Sequence, residues 1–427
     1  MNIKNRWYRL DNSAMIYPLV ITLKSQSLFR IGVCLNEEVD KDHLSSAVNS
    51  ALVRYPFFKV ELKRGFFRHY LDENTLTPIV EEDDGALLKI LNFRHNRNYL
   101  FRVTYYKKRI FMDYFHGLCD GSGAIEFLKT VIYYYFKLKN EPITKQGIIT
   151  LSSIKKPGEI EDAFQKYYKK VDLVEGTKKM AGGYAFGIKT KQFSGSGFGL
   201  IQALVNTNSL LTASRNYHTT ITVFISALAM LSVAENSDYD TRKDNLVAFI
   251  PVNLRKHFPS DTLGNFTVFA KCIIPYGTPK TIEDFIKSIK ESLNEQLSRE
   301  ELQTKLSFTS LMDKLPILRY LPLCVKAFIS KVGRITSSKP KQTMIISNLG
   351  NVNIEGQEKI DHFMFNLNCS AKTPVNMGII SYKDKTVISF TRKIISTDIE
   401  RYFCSKLAEI TGEVGVVSNF REDCDVL

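Results

Sequence analysis

The sequence of 427 residues lacks a long apolar segment. Its longest apolar run, Ile221–Ala234, is shorter than the roughly 20 residues that a membrane-spanning helix needs. Near the first residue there is no apolar stretch followed by a small-residue cleavage site, so we expect no signal peptide. These absences predict a cytoplasmic protein with no membrane span.

Cysteine and histidine are both scarce, at seven residues each. The cysteines are odd in number and widely spaced, and no two of them form a CxxC pair. They are Cys34, Cys119, Cys272, Cys324, Cys369, Cys404 and Cys424. Such scatter is typical of reduced thiols and not of a disulfide framework or a zinc site. Because the chain also has no HExxH motif and no cluster of His and Cys, we predict no metal cofactor.

The chain carries an excess of positive charge, with a formal net charge of +14. Such an excess suits a nucleic acid, an anionic membrane face or a phosphate-bearing ligand. The basic residues are spread along the whole chain, however, and no nucleic-acid-binding motif accompanies them. We therefore predict a solvated basic surface and no nucleic-acid partner, with a phosphate-bearing co-substrate as the alternative. A nucleic-acid binder would instead show steep salt dependence of binding.

Several catalytic motifs of known spacing are absent. The chain has no GxSxG nucleophile elbow and no phosphate-binding P-loop. The glycine-rich stretch Gly195–Gly199 lacks the third glycine of a dinucleotide-binding fingerprint, so we interpret it as a loop. The sequence therefore offers neither a serine nucleophile nor a nucleotide-binding loop at a recognised motif.

The length predicts two domains, because a single core rarely grows beyond about 250–300 residues. Hydrophobic periodicity predicts strands and helices in both halves without strict alternation, so the predicted fold class is mixed α/β (α+β). The polar stretch Lys139–Lys179 is the candidate crossover between the halves. The predicted elements include strands at Ile16–Leu23 and Arg109–Phe115, and helical segments at Lys41–Arg54, Ala124–Leu138, Leu200–Ala234, Ile282–Lys305 and Asp398–Thr411.

One histidine differs from the other six in its context. His116 ends an apolar strand and begins the hexapeptide HGLCDG, which an amphipathic helix follows. A histidine at a strand end is held by the sheet and faces open space, which suits a general base with a pKa near 6.5. Asp120 either fixes the loop by neutralising a cation or simply caps the helix, and Gly121 would permit a tight turn.

The hexapeptide resembles the HxxxDG motif of the chloramphenicol acetyltransferase-like superfamily of coenzyme A-dependent acyltransferases. That superfamily includes alcohol acetyltransferases and the condensation domains of nonribosomal peptide synthetases. Further segments are similar to those of the bacterial alcohol acetyltransferase-like branch and occur in the same order. They are Trp7–Asp11 with Tyr17 and Pro18, Arg54–Phe58, Pro251–Arg255, Gly264–Phe266 and Ser347–Gly350. The resemblance therefore covers nearly the whole chain.

The resemblance implies two similar subdomains, each a mixed β-sheet with flanking helices, with an active-site tunnel between them. It places an N-terminal acyltransferase subdomain at residues 1–150, a crossover linker at 151–185 and a C-terminal subdomain at 186–427. An acyl-CoA, expected to be acetyl-CoA, enters the tunnel on one side, and an alcohol or amine acceptor enters on the other. The acyl-CoA is then a co-substrate, and no permanently bound cofactor is expected.

The resemblance also implies roles for individual residues. His116 would be the general base that deprotonates the acceptor hydroxyl, and Asp120 would be structural and pair with an arginine. Arg255 is the candidate partner of Asp120, with a surface arginine after a strand as the alternative. Three polar residues are candidate donors to the oxyanion of the tetrahedral intermediate, or are turn formers instead. They are Asn265, Ser347 and Asn348.

Two departures from the superfamily pattern bear on the function. Phe115 stands where condensation domains usually carry a second histidine, and the DFGWG motif of plant acyltransferases is absent. Both favour a free-standing acyl-CoA-dependent O-acyltransferase that transfers an acetyl group to a hydroxyl. The alternative is a carrier-protein-dependent condensation or acyl-release enzyme of a nonribosomal peptide or polyketide type pathway, with an acyl carrier protein as partner. A degenerate binding or epimerase-like relative is disfavoured, because His116, Asp120 and Gly121 are intact.

Overall fold

A computed structural model describes residues 7–22, 26–172, 183–193, 198–241, 243–336 and 340–419. These ranges contain fifteen strands and twelve α-helices. The strands are β1 Trp7–Arg9, β2 Leu28–Leu35, β3 Val60–Arg64, β4 His69–Glu73, β5 Val80–Glu82, β6 Phe101–Tyr106, β7 Arg109–Phe115, β8 Gly199–Asn206, β9 Leu246–Asn253, β10 Thr267–Ile274, β11 Met344–Asn351, β12 Ile360–Leu367, β13 Val375–Tyr382, β14 Lys385–Arg392 and β15 Val414–Ser418. The helices are α1 Ile16–Leu19, α2 Lys41–Arg54, α3 Gly121–Leu138, α4 Ala163–Lys166, α5 Thr207–Asn216, α6 Ile221–Glu235, α7 Ile282–Gln296, α8 Arg299–Thr309, α9 Leu311–Lys314, α10 Pro316–Tyr320, α11 Leu323–Thr336 and α12 Asp398–Thr411.

The first lobe is built on a five-stranded sheet with the order β12-β2-β7-β6-β5. Its neighbouring strands are antiparallel, except that β5 runs parallel to β6. Strand β7 lies in the middle of this sheet, and all of its residues except the first are buried. Helices α2 and α3 pack against each other and share one hydrophobic core with the sheet. The predicted base therefore follows a central strand that is held on both edges.

The second lobe is built on a seven-stranded sheet with the order β10-β9-β11-β13-β14-β8-β15. Strand β11 runs parallel to both of its neighbours, and the other pairs are antiparallel. Helix α6 is buried from Val223 to Ala234, as expected for a helix that is apolar on every side. It packs against α7 and α12 in the core of this lobe.

Strand β12 links the two lobes, because it follows β11 in the chain but pairs with β2 of the first sheet. It also packs closely over the second sheet. A Cβ atom at Gly378 of β13 would lie 2.2 Å from the carbonyl oxygen of Phe365 in β12. Only glycine allows this approach. The division at residues 1–150, 151–185 and 186–427 stays a prediction.

The predicted fold class, mixed α/β with two lobes, is confirmed. Strand Arg109–Phe115 and helices Lys41–Arg54 and Asp398–Thr411 have the predicted bounds. Residues 195–197 of the glycine-rich stretch that we interpreted as a loop lie outside the described residues.

Three secondary-structure predictions were wrong. The strand predicted at Ile16–Leu23 is replaced by the short helix α1, which follows a turn closed by Asp11. The helical segment predicted from Leu200 begins instead with β8, because this segment pairs with β14 and β15 on its two edges. The single helix predicted at Ile282–Lys305 is two helices, because Ser298 caps the start of α8. At β8, tertiary pairing outweighs local propensity.

Within the described part of the chain, no single helix is long and apolar enough to cross a membrane. Helices α5 and α6 taken together are long and apolar enough to do so, by length and composition only, and they are bent by 80° to each other.

Candidate active site

A cavity of about 790 Å³ lies between the two lobes, a size that suits a small organic ligand. Six of the seven site residues predicted from the sequence line this cavity. They are His116, Asp120, Gly121, Arg255, Ser347 and Asn348. The seventh, Asn265, lies behind His116 and does not line the cavity. The structure therefore brings the predicted residues together from both lobes.

His116 is held at the end of β7 by its backbone and by two aromatic rings. Its N–H donates to the carbonyl of Ser27 at 2.8 Å. Its imidazole stacks on Tyr17 with ring centroids 4.7 Å apart, and it forms an edge-to-face pair with Phe29 with ring centroids 5.0 Å apart. A side chain packed in this way has little rotamer freedom, so it presents its free ring nitrogen in a fixed direction.

The contacts of Asn265 determine which nitrogen of His116 carries the proton. The amide nitrogen of Asn265 donates to Asp11 Oδ2 at 3.1 Å and to the carbonyl of His116 at 3.0 Å. Both partners are acceptors, so the amide oxygen must face the ring, where it lies 3.0 Å from His116 Nδ1. Nδ1 therefore carries the proton in the neutral ring. Nε2 forms no hydrogen bond with any described residue and keeps its lone pair.

The surroundings of His116 favour its neutral form. Burial lowers the pKa of His116 below its ordinary value, while the hydrogen bond to Asn265 and the charge of Asp120 raise it in part. A lowered pKa means that the imidazole is unprotonated at neutral pH. The side chain is thus in the state that a general base requires.

Asp120 performs both of the functions left open by the sequence. Its Oδ1 accepts from the backbone N–H groups of Ser122 and Gly123 at 3.1 Å each, which caps α3. Its two oxygens also bind Arg255, with Nη1 at 2.8 Å from Oδ2 and Nη2 at 3.2 Å from Oδ1. The backbone N–H of Phe266 donates to Oδ2 at 2.8 Å. The carboxylate is therefore fully hydrogen-bonded and ties the start of α3 to the second lobe.

Arg255 lies in a single 3₁₀ turn, Leu254–Lys256, directly after β9. Besides Asp120, its guanidinium donates to the carbonyls of Thr262 and Gly264 at 3.0 and 2.7 Å. These contacts fix the loop that carries Asn265. The guanidinium therefore connects the start of α3 to the loop that carries Asn265.

Gly121 does not serve the tight turn that the sequence predicted. Its backbone does not adopt a positive φ angle. A Cβ atom there would instead lie 2.4 Å from Cδ2 of Leu349, which packs onto the start of α3 from the second lobe. Glycine therefore serves close approach of the two lobes at this position, and not a tight turn.

The three candidate oxyanion donors lie in different surroundings. Both amide hydrogens of Asn265 are already donated to acceptors within the protein, which leaves none for an oxyanion. Asn348 donates to Thr222 and accepts from the N–H of Gly350, where the backbone turns at φ +78°. Ser347 is buried on β11 and lines the cavity, and its hydroxyl forms no hydrogen bond with the described residues. Among the described residues, Ser347 therefore keeps a free hydroxyl hydrogen and Asn348 keeps one free amide hydrogen.

Asp11 is a site residue that the sequence analysis did not single out. Its Oδ2 accepts from the backbone and side-chain nitrogens of Asn265 at 2.9 and 3.1 Å. Its Oδ1 accepts from the N–H of Ala14 at 2.7 Å. The one signal in the sequence for this role is that Asp11 belongs to the segment Trp7–Asp11, which carries the family resemblance. Its partner is 254 positions away in the chain, which no local pattern reveals.

One group of potential metal ligands occurs in the described part of the chain, and it lies outside the cavity. Cys34, Asp361 and His362 offer atoms within 4.8 Å of one another. Asp361 is already paired with His362 and with Lys385, and Arg109 interacts with Cys34. The nearby cations make this an unfavourable place for a metal ion.

Comparison with known proteins places this arrangement in a broader context. The alcohol acetyltransferase family matches residues 206–409, a range that excludes His116. Polyketide synthase associated protein 5 from Mycobacterium tuberculosis is similar in structure, with 13% identity, a TM-score of 0.66 and coverage of 96% of this chain and 99% of that chain. Trichothecene 15-O-acetyltransferase from Fusarium sporotrichioides has 11% identity and a TM-score of 0.63, with 95% and 94% covered.

The starter condensation domain of rhizomide synthetase, solved in complex with C8-CoA and Leu-SNAC, is also similar. It has 11% identity and a TM-score of 0.58, with 95% of each chain covered. A search of the curated proteins finds no match.

The fold is shared with these acyltransferases and condensation domains, as the resemblance in the sequence predicts. The chain is therefore similar to alcohol acetyltransferases over residues 206–409 and shares its fold with a solved acetyltransferase.

Proposed function

We propose that this protein is an acyl-CoA-dependent O-acyltransferase that transfers an acetyl group from acetyl-CoA to a hydroxyl acceptor. The observation that carries this proposal is the state of His116. Its ring is neutral, its Nδ1–H is bound to Asn265, and its unpartnered Nε2 belongs to a residue that lines the cavity between the lobes. This geometry suits a base that acts on a substrate held in that cavity.

In the proposed reaction, Nε2 of His116 takes the proton of the acceptor hydroxyl as the oxygen attacks the thioester carbonyl. The tetrahedral intermediate then collapses, the carbon–sulfur bond breaks, and the imidazolium returns the proton to the leaving thiolate. The products are an ester and free coenzyme A. Proton transfer of this kind contributes roughly 10²–10⁴-fold to the rate.

Ser347 is the proposed donor to the oxyanion of the intermediate. It lies on β11, in the wall that the second lobe contributes to the cavity, and it keeps its hydroxyl hydrogen free. One well-placed donor is worth about 10²–10³-fold in kcat. We expect Ser347→Ala to lower kcat by about this factor while KM for acetyl-CoA stays near that of the wild type. Asn265 serves instead to position His116.

Two observations support a coenzyme A donor. The structurally similar condensation domain of rhizomide synthetase was solved in complex with C8-CoA. The net charge of +14 also suits the phosphates of coenzyme A. A carrier-bound donor is the second candidate, because condensation domains share the fold. The absence of a second histidine before His116 favours free coenzyme A.

The test is a transfer assay that follows release of coenzyme A thiol from acetyl-CoA in the presence of a panel of alcohols. We expect acceptor-dependent thiol release and the matching acetyl ester by mass spectrometry. The same acyl group loaded on a phosphopantetheinylated carrier protein is run in parallel. Transfer from the carrier alone would contradict the coenzyme A assignment, and no transfer from either donor would contradict the proposed function.

A further inference from the structure

A line of three side chains runs from the N-terminal segment to the proposed base. Asp11 Oδ2 accepts from Asn265 Nδ2 at 3.1 Å, and Asn265 Oδ1 lies 3.0 Å from His116 Nδ1. The backbone N–H of Asn265 also donates to the same oxygen of Asp11 at 2.9 Å. The three residues come from the segment before α1, the loop before β10 and the end of β7. Their contacts therefore join the two lobes directly behind the imidazole.

Asp11 holds Asn265 by two hydrogen bonds to one oxygen, and this fixes both its backbone and its amide plane. An amide that rotated by half a turn would place its NH₂ group against the Nδ1–H of His116. The carboxylate opposes that rotation, because an ionised carboxylate only accepts hydrogen bonds. The orientation of Asn265 in turn selects the Nδ1–H tautomer of His116.

We propose that Asp11 is a positioning residue for His116, acting through Asn265, so that the base presents Nε2 to the cavity and its protonated form is stabilised during transfer. This inference rests on the proposed function and deepens it. The amide of Asn265 has no proton to pass on, so Asp11 does not receive the substrate proton. It acts by orientation and by its negative charge.

Asp11 differs from an ordinary surface aspartate in its charge environment. Its hydrogen-bond donors in the described part of the chain are all neutral N–H groups, and they belong to Ala14 and Asn265. The titratable groups that interact with it are Asp162 at the start of α4, Tyr17 on its own segment and Cys119 in the loop after β7. Burial and the charge of Asp162 raise the pKa of Asp11 to about 7, while its hydrogen bonds lower it in part.

This environment gives the proposal a signature in the pH dependence of the reaction. Transfer needs neutral His116, whose pKa lies below its ordinary value, and it also needs ionised Asp11. The kcat of the wild type is therefore expected to fall as the pH is lowered through about 7, where Asp11 takes up a proton. We call this fall the acid side of the kcat profile. Without a titrating group at position 11, the acid side moves to lower pH, where His116 titrates.

The first experiment measures kcat and KM against pH for the wild type and for Asp11→Asn. We expect the plateau kcat of the variant to fall about 10- to 100-fold, since small misplacements of catalytic groups have effects of this size. KM for acetyl-CoA is expected to stay near the wild-type value, and the acid side of the profile is expected to move below pH 7. A plateau within twofold of the wild type with an unmoved acid side would overturn the proposal.

Asp162→Asn is the matched control, because it removes a neighbouring half-buried carboxylate that forms no hydrogen bond with Asn265 in the described part of the chain. Its plateau kcat is expected to stay within about twofold of the wild type. Its acid side is expected to move down as well, since Asp162 is one cause of the raised pKa of Asp11. A plateau as low as that of Asp11→Asn would show that the loss is a general effect of charge in this region.

The second experiment reads the tautomer of His116 without any substrate. Nitrogen NMR of imidazole-labelled protein at pH 8, assigned with His116→Ala, is expected to show the Nδ1–H form in the wild type and a mixture of tautomers in Asp11→Asn. An unchanged Nδ1–H form would overturn the positioning role. If the wild type transfers no acyl group, or if His116→Ala is as active as the wild type, the proposed function fails, and the tautomer measurement still decides the role of Asp11.

Discussion

Two carboxylates lie near His116 in opposite environments, and Asp120 is buried whereas Asp11 is half-buried. Asp120 binds a guanidinium with both oxygens and accepts three backbone N–H groups besides. Among the described residues, Asp11 accepts only from neutral N–H groups. Burial therefore raises the pKa of Asp11 to about 7. The same side-chain type thus serves as a fixed ion-pair partner on one side of the base and as a titrating group on the other.

The comparison shows how the site separates stability from reactivity. The ion pair between Asp120 and Arg255 holds the start of α3 against the second lobe, so its loss would disturb the framework. The contact between Asp11 and Asn265 holds one side-chain plane behind the imidazole, so its loss would disturb the base. Substitutions at the two positions should therefore affect different measurements.

The largest effect on stability is expected from Asp120→Asn. Removing one partner of a buried ion pair leaves the other charge uncompensated and costs about 3–5 kcal/mol. We expect the free energy of unfolding, measured in urea at pH 7, to fall by this amount.

Asp84→Asn is the control for that measurement. Asp84 pairs with Lys89 at an exposed position, where an ion pair is worth about 1 kcal/mol or less. If Asp120→Asn costs no more than this control, the structural role of Asp120 is contradicted.

A smaller and pH-dependent effect is expected from Asp11→Asn. The folded-state pKa of about 7 lies above the unfolded value of about 3.9, so native Asp11 binds its proton more tightly than the unfolded chain does. Its contribution to wild-type stability therefore falls as the pH rises from about 4 to about 7 and stays constant above that. Asp11→Asn has no titrating group at this position, so its stability does not fall in this way. The unfolding free energy of the variant minus that of the wild type should therefore rise between about pH 4 and about pH 7, by at most about 4 kcal/mol.

Urea unfolding of both proteins at pH 4.5, 6 and 8 measures that difference. A difference that is constant with pH would mean that Asp11 keeps an ordinary pKa in the folded protein, which would contradict its assignment as a titrating group near pH 7.

The smallest effect is expected from Tyr17→Leu, which removes the ring stacked on His116 and keeps an apolar side chain. Aromatic pairs of this kind are worth about 0.5–1.5 kcal/mol beyond their buried area. We expect kcat to fall about tenfold or less, without the shift of the acid side expected for Asp11→Asn. If kcat falls as far as in Asp11→Asn, the stacking on Tyr17 and not the hydrogen bond to Asn265 would be the main contact that orients the imidazole.

The sequence predicts the parts of this site that depend on local pattern. The apolar run of β7 and the spacing from His116 to Asp120 put the base at a strand end and the carboxylate at a helix start. The roles of Gly121, Asn265 and Asp11 depend instead on contacts between the lobes. Leu349 packs against Gly121 from the second lobe, and no periodicity in the sequence reveals a neighbour more than 200 positions away.

The fold shows the same limit. Strand β12 crosses to the first sheet and β8 pairs at both edges, and these tertiary pairings are not visible in local propensity. Helix α2 is predicted correctly because Asp40 caps it and its apolar residues repeat at helical spacing.

The most direct test of the account is the kcat/KM of acetyl transfer at pH 8 for the wild type, His116→Ala and His362→Ala. His362 is the matched control, because it is buried with a pKa lowered by burial but lies outside the cavity, beside Asp361. We predict that His116→Ala loses about 10²–10⁴-fold and that His362→Ala stays within a few-fold of the wild type. Activity of His116→Ala within tenfold of the wild type would contradict the assignment of His116 as the base.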